Sequence, residues 1–157
     1  MPEVPEPYPV AEAEAAYAAR LGQLLDAEWT ELAEALQRLE TAGVFGSWTQ
    51  ARQQADGSWQ LPYTTLSEES EDFLATLGRL GLYLPFDWTA WERGRLLARD
   101  PALLEQASPA EAAMLILAVR RSDRFVEGDL LAALESGLIQ RAARRVLAAS
   151  AAAGGAG

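Results

Sequence analysis

The chain has 157 residues and a mass of 17.0 kDa, enough for one domain with short appended tails. It contains no Cys, His, Lys or Asn, and all 13 cationic side chains are Arg. Those absences exclude disulfides, thiolate and imidazole catalysis, Lys Schiff bases and Cys/His metal sites, leaving carboxylate, hydroxyl and guanidinium chemistry.

The formal net charge of −10 is uneven. Residues 1–78 carry 14 acids and three arginines, whereas residues 79–157 carry nine acids and ten arginines. Such a chain is repelled by phosphate backbones and anionic lipid, so neither nucleic acid nor a membrane is expected as a partner. The start, MPEVPEPYPV, lacks the basic and apolar regions of a signal peptide. The longest apolar run, Ala112–Val119, is too short to cross a bilayer. A cytoplasmic protein is the expectation, and the lack of Cys fits a reducing compartment.

In chain order, residues 1–9 hold Pro2, Pro5, Pro7 and Pro9 between acids, which predicts an extended arm. A single long helix is expected over residues 10–42. Its stripe runs Leu21, Leu25, Trp29, Leu32, Leu36, Leu39 at helical spacing, with Gly43 as the terminating residue. The stripe suits a core face and equally a homodimer seam. Asp56-Gly57 predicts a two-residue hairpin turn within residues 45–63. Trp59, Leu61 and Tyr63 alternate along its second strand and should be covered by helices; Pro62 caps that strand or marks an edge.

Further helices are expected from there. Thr65 and Glu68 form a capping-box pattern opening a helix over about 66–83, which Pro85 stops. Asp87 is an N-cap candidate for a helix over 88–98, and Asp100-Pro101 and Ser108-Pro109 are two further cap pairs. Ser108 with Glu111 completes a capping box for a buried helix over 109–121. Short and final helices are expected at 126–135 and 138–149, followed by a flexible Ala/Gly tail over 150–157. The fold class is therefore mainly α: a compact multi-helix domain of six or seven helices over 10–149, with one small β-hairpin.

No P-loop, dinucleotide fingerprint, nucleophile elbow or EF-hand loop is present. Nothing in the sequence calls for a cofactor or a metal. Three patterns stand out. The acids Glu68, Glu69, Glu71 and Asp72 follow a helix cap and suit its dipole. Arg120, Arg121 and Arg124, with Arg141, Arg144 and Arg145, lie near a helix–turn–helix arrangement but interleave with acids. Salt bridges of Arg124 with Asp123 and Glu127 are expected to fix that turn, with Phe125 as core. Finally, Phe86, Asp87, Trp88 and Trp91 pack three aromatics into six residues, as core or as a ligand groove.

F-D-W-x-x-W at 86–91 and R-x-D-R-F-x-E-G-x-L at 121–130, closed by G-x-I at 137–139, resemble the bacterial domain-of-unknown-function family 6508. Trp48, Asp56-Gly57, Pro62-Tyr63 and Phe73 agree with it, so the resemblance spans about 45–147. It implies a small bacterial protein without an assigned activity. The positions to examine first are therefore Asp87, Trp88, Trp91, Arg121, Asp123, Arg124, Glu127 and Gly128. The leading expectation is a non-enzymatic, acidic protein-binding or regulatory module that contacts another protein or a second copy of itself. The alternatives are a small-molecule-binding domain or enzyme using Asp, Glu and Arg in a Trp-lined pocket, and an acidic inhibitor that mimics nucleic acid.

Overall fold

The structure is a computed structural model that describes residues 6–154, the side chains of 151–154 excepted. Its eight α-helices are α1 (Val10–Gly22), α2 (Asp26–Ala42), α3 (Glu68–Arg79), α4 (Glu92–Arg99), α5 (Pro101–Gln106), α6 (Pro109–Ser122), α7 (Asp129–Glu135) and α8 (Leu138–Gly154). Between α2 and α3 lie four short strands: β1 (Gly46–Thr49), β2 (Arg52–Gln53), β3 (Trp59–Gln60) and β4 (Tyr63–Leu66).

The apolar run of the sequence becomes α6, whose residues Ala110 to Leu117 are all buried. It packs against α1, α4, α7 and α8, and α8 in turn covers α2 and α5. Facing alanines, Ala112 and Ala113 on α6 and Ala142 and Ala143 on α8, sit in this central layer. Ser108 caps α6 as expected: its hydroxyl oxygen accepts from Glu111 N at 3.0 Å, and Glu111 Oε1 accepts from Ser108 N at 3.1 Å. Asp100 caps α5 through Ala102 N and Leu103 N.

The helix expected over 10–42 is two helices. Gln23 N and Leu24 N reach back only three residues, to Arg20 O and Leu21 O, which tightens and ends α1 beside Gly22. Leu25 is extended, and Glu28 Oε1 accepts its N–H at 2.9 Å, starting α2 afresh. The bend keeps Leu21, Leu24, Trp29, Leu32, Leu36 and Leu39 buried but turns Leu25 outward. Most of the stripe is thus spent within this chain's own core, which leaves little of it for a dimer seam.

The next helix begins later than expected. Its cap is Ser67, whose Oγ accepts from Ser70 N, not Thr65, which lies in β4. Gly81, at φ +73°, ends it, with Leu82 N donating to Leu77 O; the chain has left the helix before Pro85. Asp87 caps no α-helix: Trp88–Ala90 is a 3₁₀ turn and α4 starts at Glu92.

β1–β4 and β2–β3 keep one register, so they form a single antiparallel hairpin interrupted at Gln50–Ala51 opposite Leu61–Pro62. Pro62 has no N–H to give to the ladder there. Its tip is a three-residue loop, Ala55-Asp56-Gly57, rather than a two-residue turn. Gln54 N donates to Ser58 O, Gly57 N donates to Gln54 O, and Gly57 has φ +89°. Gly46, Trp48, Thr64 and Leu66 share the face toward the helices. By the same alternation, Trp59, Leu61 and Tyr63 point away from them and are exposed, not covered.

Of the arm expected over 1–9, residues 1–5 lie outside the described residues. Tyr8 pairs with Phe86 in an isolated parallel bridge. The final helix continues past Ala149 to Gly154, and 155–157 lie outside the described residues.

Candidate binding surface

The F-D-W-x-x-W residues divide between core and surface. Tyr8 N donates to Pro85 O and Asp87 N to Tyr8 O, anchoring this strand-like piece. Phe86 is buried edge-on between Tyr17 and Trp91, with ring centroids 6.1 and 5.5 Å away. Tyr17 Oη donates to Leu84 O at 2.9 Å and accepts from Leu84 N at 3.0 Å, and burial pushes its hydroxyl pKa far up. Trp91 lies flat against α4 at Gly94, where any Cβ would collide with its ring. Asp87 is exposed and accepts from Thr89 Oγ1 at 2.8 Å. Trp88 is half-buried, its ring 6.1 Å from that of Phe125.

The turn between α6 and α7 is held by backbone hydrogen bonds and not by salt bridges. Asp123 Oδ1 accepts from Gly128 N at 3.2 Å and Leu130 N at 3.0 Å, satisfying donors at the start of α7. Glu127 Oε1 crosses to the hairpin, where it accepts from Thr64 N at 2.6 Å and Thr64 Oγ1 at 3.0 Å. The Thr64 amide first, and then its hydroxyl, hold the Glu127 carboxyl below the usual range. Gly128, at φ +94°, takes the Trp48 ring where a side chain would stand.

Two expectations fail here. Arg124 makes no ion pair among the described residues; one oxygen of Asp123 and one of Glu127 accept from backbone amides instead. Phe125 is not core; it is 79% exposed, with Val126 exposed beside it. Arg121 likewise has no ion pair or side-chain hydrogen bond among the described residues, and it stands near enough to Tyr17 to bias that hydroxyl. The sequence reading also missed the cation–π contact of Arg120, 4.4 Å above the Tyr83 ring. An Asp followed five residues later by Gly, just before an apolar run, was the available signal for the Asp123 cap.

The named positions therefore do not converge on one pocket. Trp88 and Trp91 line a cleft of about 250 Å³ with Arg95, Leu115, Val119 and Ser122; Arg121, Arg124 and Glu127 do not line it. Trp88 instead lies beside Phe125, next to the exposed Val126, and Trp48 covers Gly128 two residues further on; the opposite face of the hairpin carries Trp59 and Leu61, both exposed. Residues 43–67 contain only Arg52 and Asp56 as charged side chains, so the hairpin is a nearly neutral stretch of an acidic protein, whereas Phe125 and Val126 stand between Arg124 and Glu127. Among the described residues, no group of three or more His, Cys, Asp or Glu is placed to hold a metal ion, and no helix is long and apolar enough to cross a membrane.

A family model described as a family of unknown function, DUF6508, matches residues 24–151. The chain belongs to this family. The match is wider than the motifs at 45–147 imply, since it takes in α2 as well as the hairpin and the later helices. No curated protein and no solved structure matches the chain.

Proposed function

We propose that this DUF6508 protein is a non-enzymatic protein-binding or regulatory module of the bacterial cytoplasm, and that it binds through the face formed by Trp48, Trp88, Phe125 and Val126. One observation carries the reading. Phe125 is almost fully exposed on a turn that Asp123, Glu127 and Gly128 hold rigidly. A large apolar side chain fixed in water costs the fold solvation and gives it little packing, whereas a partner that buries it gains about 2–3 kcal/mol. Interfaces favour such aromatic anchors. The lack of Cys and the acidic charge fit a soluble protein in a reducing compartment.

A small-molecule reading draws on the Trp88–Trp91 cleft, whose lining holds Arg95 but no Asp or Glu. The nucleic-acid-mimic reading draws less support, because several acids of residues 12–40 are already engaged. Glu31 pairs with Arg79, Glu40 with Arg144, and Glu28 caps its own helix. A photo-cross-linking amino acid at position 125 tests the proposal in cells, with position 132 on the exposed side of α7 as control. A discrete protein adduct at 125, absent at 132 and lost with Val126→Ser, is expected. Equal labelling at both positions overturns it.

A further inference from the structure

The face of the hairpin that turns away from the helices is built from two unlike columns. One register runs through both strand pairs, so Ser47, Thr49, Ala51 and Gln53 form one column and Thr65, Tyr63, Leu61 and Trp59 the other, each residue beside its cross-strand partner. Trp59, Leu61 and Tyr63 are 66, 78 and 40% exposed. No member of either column is charged. Arg52 belongs to the other face, and Asp56 to the tip, where its carboxylate accepts from Ser58 N at 2.9 Å and from Ser58 Oγ at 2.5 Å. The columns differ in bulk: one carries three large apolar side chains in a row, and the other centres on Ala51 between Thr49 and Gln53.

Charge and shape together select the occupant. Two copies of a chain with net charge −10 repel each other, so they can meet closely only over a face free of charge, and this face is one. Anionic lipid is repelled in the same way, and a cationic partner finds no countercharge here. The face also matches itself. A twofold axis parallel to the strands, placed between two such faces at the ~10 Å spacing of packed sheets, sets the large column of each copy over the small column of the other. Leu61 then stands over Ala51 of the second copy, Trp59 over its Gln53 and Tyr63 over its Thr49. We propose that this face pairs with the same face of a second copy, in an isologous dimer seated on Trp59, Leu61 and Tyr63. Three exposed apolar side chains supply a few hundred Å² per copy, so the total falls below the ~1,200 Å² of stable interfaces and the dimer is weak, with a dissociation constant on the order of tens of micromolar. The contact uses the face opposite Trp48, and so stands apart from the reading of Phe125.

Sedimentation equilibrium of the full chain, across the micromolar range, tests the proposal. The weight-average mass should rise from one chain toward two. It should rise further in high salt, which screens the repulsion between the two acidic copies, whereas a dimer joined by ion pairs would loosen. Leu61→Asp should leave a monomer at every concentration with an unchanged melting temperature, since the position is exposed. Ala51→Trp is the sharper variant. It makes the face more apolar, so adventitious stickiness would grow, but it fills the column that receives Leu61 and should weaken dimerisation about tenfold or more. A wild-type chain that stays monomeric up to millimolar concentration overturns the proposal, and binding of that monomer to neutral phosphatidylcholine vesicles would give the face to lipid instead. A dimer that Leu61→Asp leaves intact, or one that Ala51→Trp tightens, overturns it equally.

Discussion

The α6–α8 layer and the hairpin–turn surface reach a fixed structure by opposite means. In the layer, Met114, Ile116, Leu117, Ile139 and Val146 are wholly or almost wholly buried, and alanines let the helices approach. Apolar burial holds that part of the fold. At the turn the apolar side chains Phe125 and Val126 face water, and polar groups do the holding: Asp123 on two amides, Glu127 on Thr64, Gly128 beneath Trp48. A turn fixed through its backbone leaves its side chains free for another task, whereas a helix fixed through its side chains does not.

Substitutions that exchange these two economies test the contrast. Leu117→Ala in the layer should cost about 2–5 kcal/mol in denaturant melts, the transfer term plus an unrelieved cavity. At the turn the backbone is the sensitive element. Gly128→Ala should cost about 1–3 kcal/mol, because a left-handed φ becomes strained and the new Cβ displaces Trp48. In a Trp48→Ala background the collision is gone and only the strain remains, so the cost should shrink. An unchanged cost in that background would show that the ring and the glycine are not coupled.

How much of this was legible in the sequence depended on which kind of force was at work. Periodicity and caps report burial and local backbone needs, so α5, α6 and the mainly helical class could be read from Asp100, Ser108, Glu111 and the apolar run. Long-range polar contacts leave no period. Nothing local to Glu127 says that its carboxylate belongs to Thr64, 63 residues away. Proximity in sequence suggested Arg124 instead, which is the wrong partner. The break between α1 and α2 was hidden because the bend preserves the helical spacing of the buried stripe and exposes only Leu25. Trp59, Leu61 and Tyr63 were read correctly as one strand face, but alternation cannot say whether a face turns inward. The cleft was half legible: Trp88 and Trp91 were noted, whereas Arg95 and the α6 floor come from elements that only the fold brings together.

The α6 start sharpens the comparison at smaller magnitude, since it joins both kinds of force. Ser108→Ala should cost about 1 kcal/mol. Ser108→Asp keeps the cap chemistry but adds a carboxylate beside Glu14, 3.0 Å from Ser108 Oγ, and beside Glu111, so it should not be neutral at pH 7. Glu111 itself is 8% exposed. Burial pushes its carboxyl pKa up, but the Arg93 hydrogen bond and the Ser108 amide and hydroxyl together outweigh that and leave it lowered. A carboxyl lowered in the folded state stabilises the fold above its unfolded pKa, and that contribution is lost as pH falls through the folded value. Urea midpoints from pH 7 down to 3 should therefore fall more steeply for the wild type than for Glu111→Gln. Parallel curves would show that Glu111 is not a source of the acid sensitivity.

The smallest expected effect on stability is the most telling. By residue type alone, Phe125→Ala belongs with Leu117→Ala, since burying a phenylalanine is worth several kcal/mol and truncating a core one costs about 3–5 kcal/mol. By position it does not, since its ring is 79% exposed and its aromatic neighbour is the half-buried Trp88. The turn keeps its bonds without the ring, because Phe125 N donates to Ser122 O through the backbone, which alanine preserves. Truncation should therefore change stability by no more than about 0.5 kcal/mol. Binding of the partner captured at this position should be lost. A loss above about 2 kcal/mol in the melt would place the ring in the core after all, and would end the argument that this turn holds Phe125 out for recognition.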